Sequence, residues 1–304
     1  MRILITGVSG MVGRNFLEHP SVKQFDILTP SSSELNLLDY NCTENYLDCH
    51  NPDMVIHLAG KVGGIHANIT QPVQFLSENS IMGINIILAS KKAGIKKFIN
   101  LGSSCMYPKD AVNPLKEEMI LKGELEPTNE GYALAKIVTA KMCGYINNQD
   151  YFYKTLIPCN LYGRWDKFDP KNSHMIAAVI KKIHEAKLQN QDNIEIWGDG
   201  SARREFMYAG NFADCLVHVI NNFETVPQLM NVGLGYDYTV DEYYKIIAEI
   251  IGYEGKFIHN LSKPAGMRQK LVNNEKLKNW GWKARTNLRE GLLKTYKFYL
   301  EQGF

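Results

Sequence analysis

The fold is decided by residues Arg2–Gly13, which read RILITGVSGMVG. A short apolar run leads directly into three glycines with GxxGxxG spacing, at positions 7, 10 and 13. After a buried strand, the first glycine permits a tight turn, the second lets the backbone approach a pyrophosphate, and the third lets the next helix pack closely. The helix N-terminus favours the anion. This pattern predicts a dinucleotide-binding loop, whose contacts we expect from Gly7, Ser9, Gly10, Met11 and Val12.

Short apolar runs alternate with longer amphipathic stretches through the N-terminal half of the chain. The runs are typical of strands buried on both faces of a parallel sheet. They are Arg2–Thr6, Phe25–Leu28, Met54–Ala59, Lys97–Gly102 and Tyr153–Pro158. The stretches that predict helices include Met11–Glu18, Pro72–Ala93 and Tyr132–Asn147. The alternation predicts an α/β fold with a Rossmann-type doubly wound parallel sheet.

The rhythm of the sequence changes after about Tyr162. A polar loop at Arg164–Ser173 and a helix at His174–Ala186 precede scattered strands and helices, which predicts a smaller C-terminal lobe. We expect residues 1–163 to form the cofactor-binding domain, with a return segment at about 211–233 that rejoins the first sheet. Residues 164–210 and 234–304 would then form the substrate-binding lobe.

The composition of the 304 residues is that of an ordinary globular protein, with 45% hydrophobic and 22% charged residues. A formal net charge of +2 gives no reason to expect a nucleic-acid or membrane partner. No stretch approaches the roughly 20 apolar residues of a membrane span. The six cysteines form no CxxC pair, which favours reduced thiols in a cytoplasmic protein. We expect no metal site.

The cofactor's adenosine end is expected near the end of the second strand. An NAD site commonly carries an acidic residue there for the ribose 2′-hydroxyl. Here the residues are Ser31–Ser33, with Glu34 just beyond. Serines can donate to a 2′-phosphate and we expect no acid to repel it, so NADP(H) is favoured over NAD(H). Asp39 would either meet the adenine amino group or cap a helix.

A candidate catalytic pair lies in a helical stretch, as Tyr132-Ala-Leu-Ala-Lys136. The i, i+4 spacing puts both side chains on one helix face. A reductase must protonate the alkoxide that forms as hydride reaches a carbonyl carbon, and a tyrosine can do so if a nearby ammonium lowers its pKa. Ser103 follows the predicted strand Lys97–Gly102, where ligands of open α/β sheets bind. Its hydroxyl could hydrogen-bond the carbonyl oxygen.

The sequence resembles the extended short-chain dehydrogenase/reductases and, more closely, the GDP-L-fucose synthases, which epimerise and reduce GDP-4-keto-6-deoxy-mannose. The resemblance runs along nearly the whole chain. The stretches that carry it are Gly10–Gly13, Glu34–Asp39, Lys61–Ile65, Leu101–Lys109, Leu125–Glu130, Tyr132–Lys136, Asn160–Gly163, Asn172–His174, Trp197–Gly198 and Arg204–Phe206.

The resemblance implies a role for each matching residue. Ser103, Tyr132 and Lys136 would be the reductase triad, and Cys105 and His174 the epimerase acid/base pair. Further cofactor contacts would come from Leu58, Ala59, Tyr132, Lys136, Pro158, Asn160, Leu161 and His174. Substrate contacts would come from Ser104, Asn160, Lys182, Trp197, Arg204 and Lys270. A homodimer with a four-helix interface is also implied, with Pro72–Ala93 and Tyr132–Asn147 as its helices.

The expected activity is NADPH-dependent reduction of the C4 ketone of a GDP-linked 4-keto-6-deoxy sugar, in nucleotide-sugar biosynthesis for surface polysaccharide. Whether C3/C5 epimerisation accompanies reduction, and whether the sugar is a hexose or a heptose, stays open. Lys182 replaces the family's usual arginine, Ser9 a common basic residue, and Asn273 a common aspartate. A 4,6-dehydratase would need an acidic pair where Ser104 and Cys105 stand. A non-catalytic NADP-binding regulatory protein is the alternative of another class.

Overall fold

The computed structural model describes residues 1–169, 173–263 and 267–303. Residues 170–172 of the predicted polar loop lie outside the described part. The strands are β1 Arg2–Thr6, β2 Asp26–Leu28, β3 Met54–His57, β4 Lys97–Leu101, β5 Phe152–Pro158, β6 Asn160–Tyr162, β7 Asn193–Trp197, β8 Arg203–Arg204, β9 Phe206–Tyr208, β10 Leu229–Val232, β11 Tyr238–Thr239, β12 Lys256–Asn260 and β13 Gln269–Lys270.

The helices alternate with the strands in the N-terminal half and flank the smaller sheets in the C-terminal half. They are α1 Met11–Leu17, α2 Tyr40–His50, α3 Ile65–Thr70, α4 Pro72–Lys92, α5 Glu130–Ile146, α6 Met175–Leu188, α7 Ala209–Asn221, α8 Val240–Ile251, α9 Glu275–Trp280 and α10 Leu288–Glu301. Short 3₁₀ turns fill several connections, including Ser104–Met106 directly after β4.

The central sheet has six strands in the order β10-β5-β4-β3-β1-β2, and every neighbouring pair is parallel. Its inner strands carry unbroken buried apolar residues because helices cover both faces. One core lies between the sheet and helices that include α7, and another lies on the opposite face. The predicted Rossmann-type α/β fold is confirmed.

The strand order reverses at β1, because β2 lies on one side of it and β3 on the other. Loops that leave the carboxyl ends of strands at such a point diverge and leave a crevice for a ligand. The loop after β1, the end of β3 and the end of β4 all open at this edge of the sheet. The fold therefore brings together three segments that the sequence singled out.

The chain returns to the central sheet after the first C-terminal elements, since β10 pairs with the whole carboxyl half of β5. Helix α7, just before β10, packs on α1. The C-terminal part builds small sheets, β11-β8-β13 and β12-β7, around its own aromatic-rich core. Strands β6 and β9 pair with each other and lie between these regions. None of the helices in the described part is long and apolar enough to cross a bilayer.

Candidate active site

The glycine loop after β1 has the shape that the sequence predicts. Gly7 has φ +75, and a Cβ there would lie 2.5 Å from the Ala59 nitrogen, so no other residue fits without strain. A Cβ on Gly13 would lie 2.5 Å from the Val8 Cα, which explains the close packing of α1 on the loop. Gly10 is exposed, and a Cβ there would meet only the Gly7 oxygen, at 3.4 Å. The open space above Gly10 fits the pyrophosphate of a dinucleotide.

The floor beside this loop is the end of β3. The backbone nitrogen of Leu58 donates to the Thr6 carbonyl at 3.2 Å, and that of Ala59 donates to the Thr6 hydroxyl at 3.2 Å. The same hydroxyl lies 2.9 Å from Nδ1 of His57. Burial, with repulsion from Lys136, lowers the pKa of His57 to about 3. His57 is therefore a neutral, hydrogen-bonded core residue that fixes the loop ends against each other.

The edge expected to meet the adenosine differs from the sequence prediction in one respect. The Glu34 carboxylate turns back on Ser31, accepting from its nitrogen at 2.8 Å and its hydroxyl at 2.7 Å. These hydrogen bonds lower the pKa of Glu34, so a negative charge does stand beside the serines. The expectation that no acid lies there was wrong. Asp39 caps α2 by accepting from the Cys42 nitrogen at 3.1 Å, which is the structural role foreseen for it.

The candidate reductase residues meet at the end of β4. The Tyr132 phenol faces the side chain of Ser103, which acts to lower the pKa of the phenol. Lys136, one turn further along α5, is buried and donates to the Leu101 carbonyl at 2.9 Å. Its ammonium lies 5.7 Å from the centroid of the Tyr132 ring. A serine hydroxyl, a phenol and an ammonium therefore line one recess beside the glycine loop.

The charge states of this group overturn one expectation. Burial raises the pKa of Tyr132, as does the neighbouring Cys105, and the Ser103 side chain only partly opposes this. Burial also lowers the pKa of Lys136 to about 8. The predicted lowering of the tyrosine pKa was wrong because desolvation of the phenol is the largest effect, and the Lys136 ammonium is tied to the Leu101 carbonyl. Tyr132 is thus a neutral phenol, the form that can donate a proton.

Two donors converge on the sulfur of Cys105, which lies in the 3₁₀ turn after β4. Nδ2 of Asn129 lies 3.2 Å from Sγ, and the Lys270 ammonium lies 3.7 Å from it. The Cys105 nitrogen in turn donates to the Ser103 hydroxyl at 3.2 Å. Cys105 therefore belongs to the same recess as Ser103. Lys270, which the sequence assigns to the substrate, contacts this sulfur directly.

His174 precedes α6 and stands next to a segment that the resemblance singled out. A Cβ on Gly64 would lie 2.7 Å from the Ser173 carbonyl oxygen, so Lys61–Gly64 packs closely against the residue before the histidine. The His174 residue is solvent-accessible. Desolvation by the surrounding protein, with repulsion from Lys167, lowers its pKa. His174 is therefore placed as a neutral imidazole that can exchange protons with water.

Three predicted cofactor contacts lie where the central sheet passes into the second lobe. Pro158 ends β5, and Asn160 and Leu161 begin β6, which pairs with β9. Nδ2 of Asn160 donates to the Glu205 carbonyl at 3.0 Å. The amide is thus already anchored to the C-terminal lobe, and its oxygen is the group left to face a ligand.

The predicted substrate residues of the lobe lie on its small sheets and on α6. The Lys182 ammonium donates to the Glu195 carbonyl of β7, two residues before Trp197. Trp197 is 54% exposed, and the Lys263 ammonium lies 5.5 Å from its ring centroid. An exposed tryptophan flanked by ammonium groups suits a nucleoside diphosphate, with the ring for the base and the cations for the phosphates.

Two other predicted substrate residues differ in accessibility. Arg204 is half-buried on β8 and donates to the Arg203 carbonyl at 2.8 Å. Ser104 is only 2% exposed. Its side chain faces the interior, because the 3₁₀ turn after β4 directs Ser103 and Cys105 outwards instead.

Sequence reasoning missed Glu205, which no solvent reaches. Its carboxylate accepts hydrogen bonds from three backbone nitrogens. They belong to Leu234, to Gly235 at 2.9 Å and to Val272 at 3.0 Å. Burial raises the pKa of Glu205 to about 7. The side chain joins the segment after β10 to the segment after β13, and so fixes Lys270 relative to the central sheet. Only its place between Arg204 and Phe206 in the resembling stretch could have drawn attention to it.

The site and the fold define a class of enzyme, and comparison with known proteins agrees. Residues 3–233 match the NAD dependent epimerase/dehydratase family. The chain belongs to this family and is an oxidoreductase. Groups of three or more His, Cys, Asp or Glu side chains that could hold a metal ion are absent from the described residues.

The comparisons also find relatives along the whole chain. It is 57% identical to GDP-L-colitose synthase of Yersinia pseudotuberculosis over 304 residues, which cover 99% of each protein. It is 46% identical to GDP-L-fucose synthase of Azorhizobium caulinodans over 98% of this chain and 96% of the relative. A solved GDP-6-OMe-4-keto-L-xylo-heptose reductase of Campylobacter jejuni superposes with a TM-score of 0.91 at 29% identity, over 99% and 98%. A GDP-mannoheptose C4 reductase of the same organism, with NADP bound, gives 0.88 at 30%, over 98% of each. The resemblance seen in the sequence is confirmed.

Proposed function

We propose that this enzyme uses NADPH to reduce the C4 ketone of a GDP-linked 4-keto-6-deoxy sugar, in nucleotide-sugar biosynthesis for surface polysaccharide. The observation that carries the proposal is that the Ser103 side chain and the Tyr132 phenol face each other at the end of β4, with Lys136 one helical turn away and the glycine loop beside them. The relatives named as GDP-sugar synthases and GDP-heptose reductases support the substrate class.

Reduction needs a proton donor and an oxyanion partner for the ketone oxygen. The bound NADPH supplies the hydride that C4 accepts. Tyr132 is a neutral phenol in a desolvated recess, so it donates its proton to the C4 oxygen as negative charge develops there. The Ser103 hydroxyl hydrogen-bonds the same oxygen. Lys136, fixed by the Leu101 carbonyl, adds positive charge close to both.

Epimerisation is the second part of the proposal. The C4 ketone acidifies the protons on the neighbouring carbons, and inversion requires removal on one face and return on the other. Cys105 is the proposed base, and His174 returns the proton. Ser103 and Tyr132 stabilise the enolate oxygen in between. The alternative, a C4-reductase without epimerase activity, differs only in leaving Cys105 and His174 unused.

The cofactor preference is proposed as NADP(H) over NAD(H). Solved relatives with NADP or NADPH present support it. The Glu34 carboxylate on Ser31 works in the other direction, because it would repel a 2′-phosphate and could accept a 2′-hydroxyl. Steady-state measurement of kcat/KM with each reduced cofactor decides the preference. If kcat/KM were lower with NADPH than with NADH, NADH would be the cofactor and the proposed reaction would otherwise stay the same.

The sugar nucleotide is proposed to bind across the C-terminal lobe. Trp197 would stack on the guanine, while Lys182 and Arg204 would neutralise the diphosphate. Lys182 supplies a point charge where an arginine would bind phosphate through two nitrogens, so we expect its contribution to be modest. Residues 1–163 with 211–233 would hold the cofactor, and 164–210 with 234–304 the sugar nucleotide.

The assembly is proposed as a homodimer in the cytoplasm. Helices α4 and α5 pack against each other and leave several apolar side chains exposed, among them Val73, Leu76, Leu88 and Val138. A second copy of these helices would cover them. The six cysteines are all free thiols, which suits a reducing compartment. Light scattering at several concentrations measures the assembly.

The deciding experiment supplies the purified protein with NADPH and a panel of GDP-4-keto hexoses and heptoses in heavy water. Mass spectrometry and NMR of the products identify the sugar reduced and its configuration. Deuterium at C3 or C5 shows epimerisation, and its absence establishes the reductase-only alternative.

The same assay tests the catalytic assignment. Tyr132→Phe should lower kcat by about 10² to 10⁴-fold, the usual contribution of a positioned general acid. Tyr145→Phe, on the same helix but 84% exposed, is the matched control and should leave turnover intact. Parental turnover in Tyr132→Phe would refute the assignment of Tyr132 as the proton donor. Absence of turnover by the parent with every sugar of the panel would instead favour a non-catalytic NADP-binding regulatory protein.

A further inference from the structure

We infer that Lys270 is a positioning residue for Cys105, whose ammonium stabilises the negative charge on the sulfur when Cys105 serves as the base of epimerisation. The inference rests on the epimerase part of the proposed function and deepens it. It differs from the role that the resemblance implies for Lys270, which is contact with the sugar nucleotide.

The geometry around the sulfur is that of an anion site. The Lys270 ammonium and Nδ2 of Asn129 approach Sγ at 3.7 and 3.2 Å. Both groups are donors and neither can accept a proton from a thiol. Two converging donors suit a sulfur that carries lone pairs and negative charge better than one that must place its own proton. Asn129 itself comes from the turn before α5, so the two donors reach the sulfur from different parts of the fold.

Lys270 also lacks the usual partner of a buried ammonium. It is only 9% exposed, and no carboxylate of the described residues lies within ion-pair distance of it. Burying an ammonium without a countercharge is costly. The sulfur of Cys105 is the side-chain atom in the described part of the chain to which Lys270 is hydrogen-bonded. Negative charge that develops on this sulfur would therefore lie directly beside the ammonium.

The backbone holds the ammonium in this position. Strand β13 pairs in parallel with β8, and the Glu205 nitrogen donates to the Lys270 carbonyl at 3.3 Å. Two residues further on, the Val272 nitrogen donates to the Glu205 carboxylate. The main chain on both sides of Lys270 is therefore fixed, and burial limits the positions that its side chain can take. Besides Lys270, the titratable group that faces Cys105 is the Tyr132 phenol, from α5.

The proton transfer can be written in full. The C–H bond beside the ketone breaks, its proton joins the sulfur to form an S–H bond, and the electron pair moves onto the C4 oxygen as an enolate. Positive charge on Lys270 favours the sulfur as an anion before this step. His174, after it takes up a proton from water, gives that proton to the opposite face as the enolate returns to the ketone, which completes the inversion. Cys105 then passes its proton to water beside the same ammonium, so that both groups regain their starting states.

The test measures the sulfur directly, without substrate. Iodoacetamide reacts with thiolates, and peptide mass spectrometry isolates Cys105 from the exposed Cys49. At pH 7, Lys270→Met and Lys270→Gln should each lower the Cys105 alkylation rate about tenfold, as for a tenfold smaller thiolate fraction. Lys270→Arg should restore the rate to within about threefold. Lys245→Met, on the exposed face of α8, is the control and should react like the parent.

The outcomes separate this inference from the function on which it rests. Unchanged alkylation in both neutral variants, with weaker GDP binding by calorimetry, would overturn the inference and return Lys270 to the phosphates. If Lys270→Met failed to fold, its Cys105 would be exposed and would react faster instead of more slowly. The alkylation rates of Lys270→Gln and Lys270→Arg would then test the inference. Slow alkylation in the neutral variants, without deuterium uptake by the parent, supports the Lys270–Cys105 pairing and removes only the epimerase function.

Discussion

The stability of this enzyme should depend on pH through one buried carboxyl group, that of Glu205. The informative perturbation is Glu205→Gln, which keeps the shape of the side chain but cannot ionise. Burial raises the pKa of Glu205 from 4.5 to about 7. The native state therefore binds this proton more tightly than the unfolded chain does. The stabilisation is fully present below pH 4.5 and is lost as pH rises through 7.

The magnitude follows from these two values. One pKa unit corresponds to about 1.4 kcal/mol, so the whole effect between low pH and pH 8 is about 3 kcal/mol. Integration over the accessible window, from pH 8 down to pH 6, gives a gain of about 1.3 kcal/mol in the free energy of unfolding. The glutamine variant should lack this gain, since other titrating groups contribute equally to both proteins.

Urea unfolding at pH 6 and pH 8, read by circular dichroism, measures the effect in both proteins. Glu254→Gln, an exposed residue ahead of β12, is the control and should retain the gain of the parent. If Glu205→Gln gained as much stability as the parent between pH 8 and pH 6, the carboxyl would not titrate in this range. The three backbone nitrogens would then hold it ionised, and the argument from burial would fail.

Three further predictions concern the cofactor and the recess. Because burial lowers the pKa of Lys136 to about 8, kcat should fall as pH rises through 8, and Lys136→Arg should move that fall above pH 9 in steady-state assays. Gly13→Ala places a Cβ 2.5 Å from the Val8 Cα; we expect at least tenfold weaker NADPH binding by fluorescence titration, and unaltered affinity would contradict the close-packing argument. Glu34→Gln removes the charge beside Ser31 and should raise the NADPH-to-NADH ratio of kcat/KM about threefold to tenfold, whereas an unchanged ratio would place the 2′-phosphate elsewhere.

Much of the fold could be predicted because it rests on local patterns. The apolar runs of β1, β3, β4 and β5 are long enough to show burial on both faces, and their predicted bounds differ from the structure by at most two residues. The glycine spacing likewise dictates a local backbone path. Ser103 and Tyr132 could be expected in one site because Ser103 follows the predicted strand β4 and Tyr132 lies in the next predicted long helix, α5.

The parts that could not be predicted depend on contacts between distant residues. Lys270 contacts Cys105 although 165 positions separate them in the sequence. The local sequence around either residue gives no sign of this contact. Glu205 is an acidic residue that directly follows two arginines, so its sequence suggests exposure where the structure shows complete burial. The direction of the Tyr132 pKa shift could not be predicted for a related reason, since desolvation of the phenol depends on how the recess is packed. The turn of Glu34 onto Ser31 depends on loop geometry that polar residues do not specify.

Strand β10 is synthesised long after β5, the strand with which it pairs, and this delay affects how the chain folds during synthesis. Strand β5 is almost wholly buried, yet the neighbour that covers its outer edge begins only at Leu229. At about 5–20 residues per second, the ribosome leaves that apolar edge unpaired for roughly 4 to 14 seconds. An unprotected strand edge readily recruits another chain. Protein halted before Leu229 should therefore aggregate or occupy chaperones, and any shortened version of the cofactor-binding half must carry its sixth strand with it.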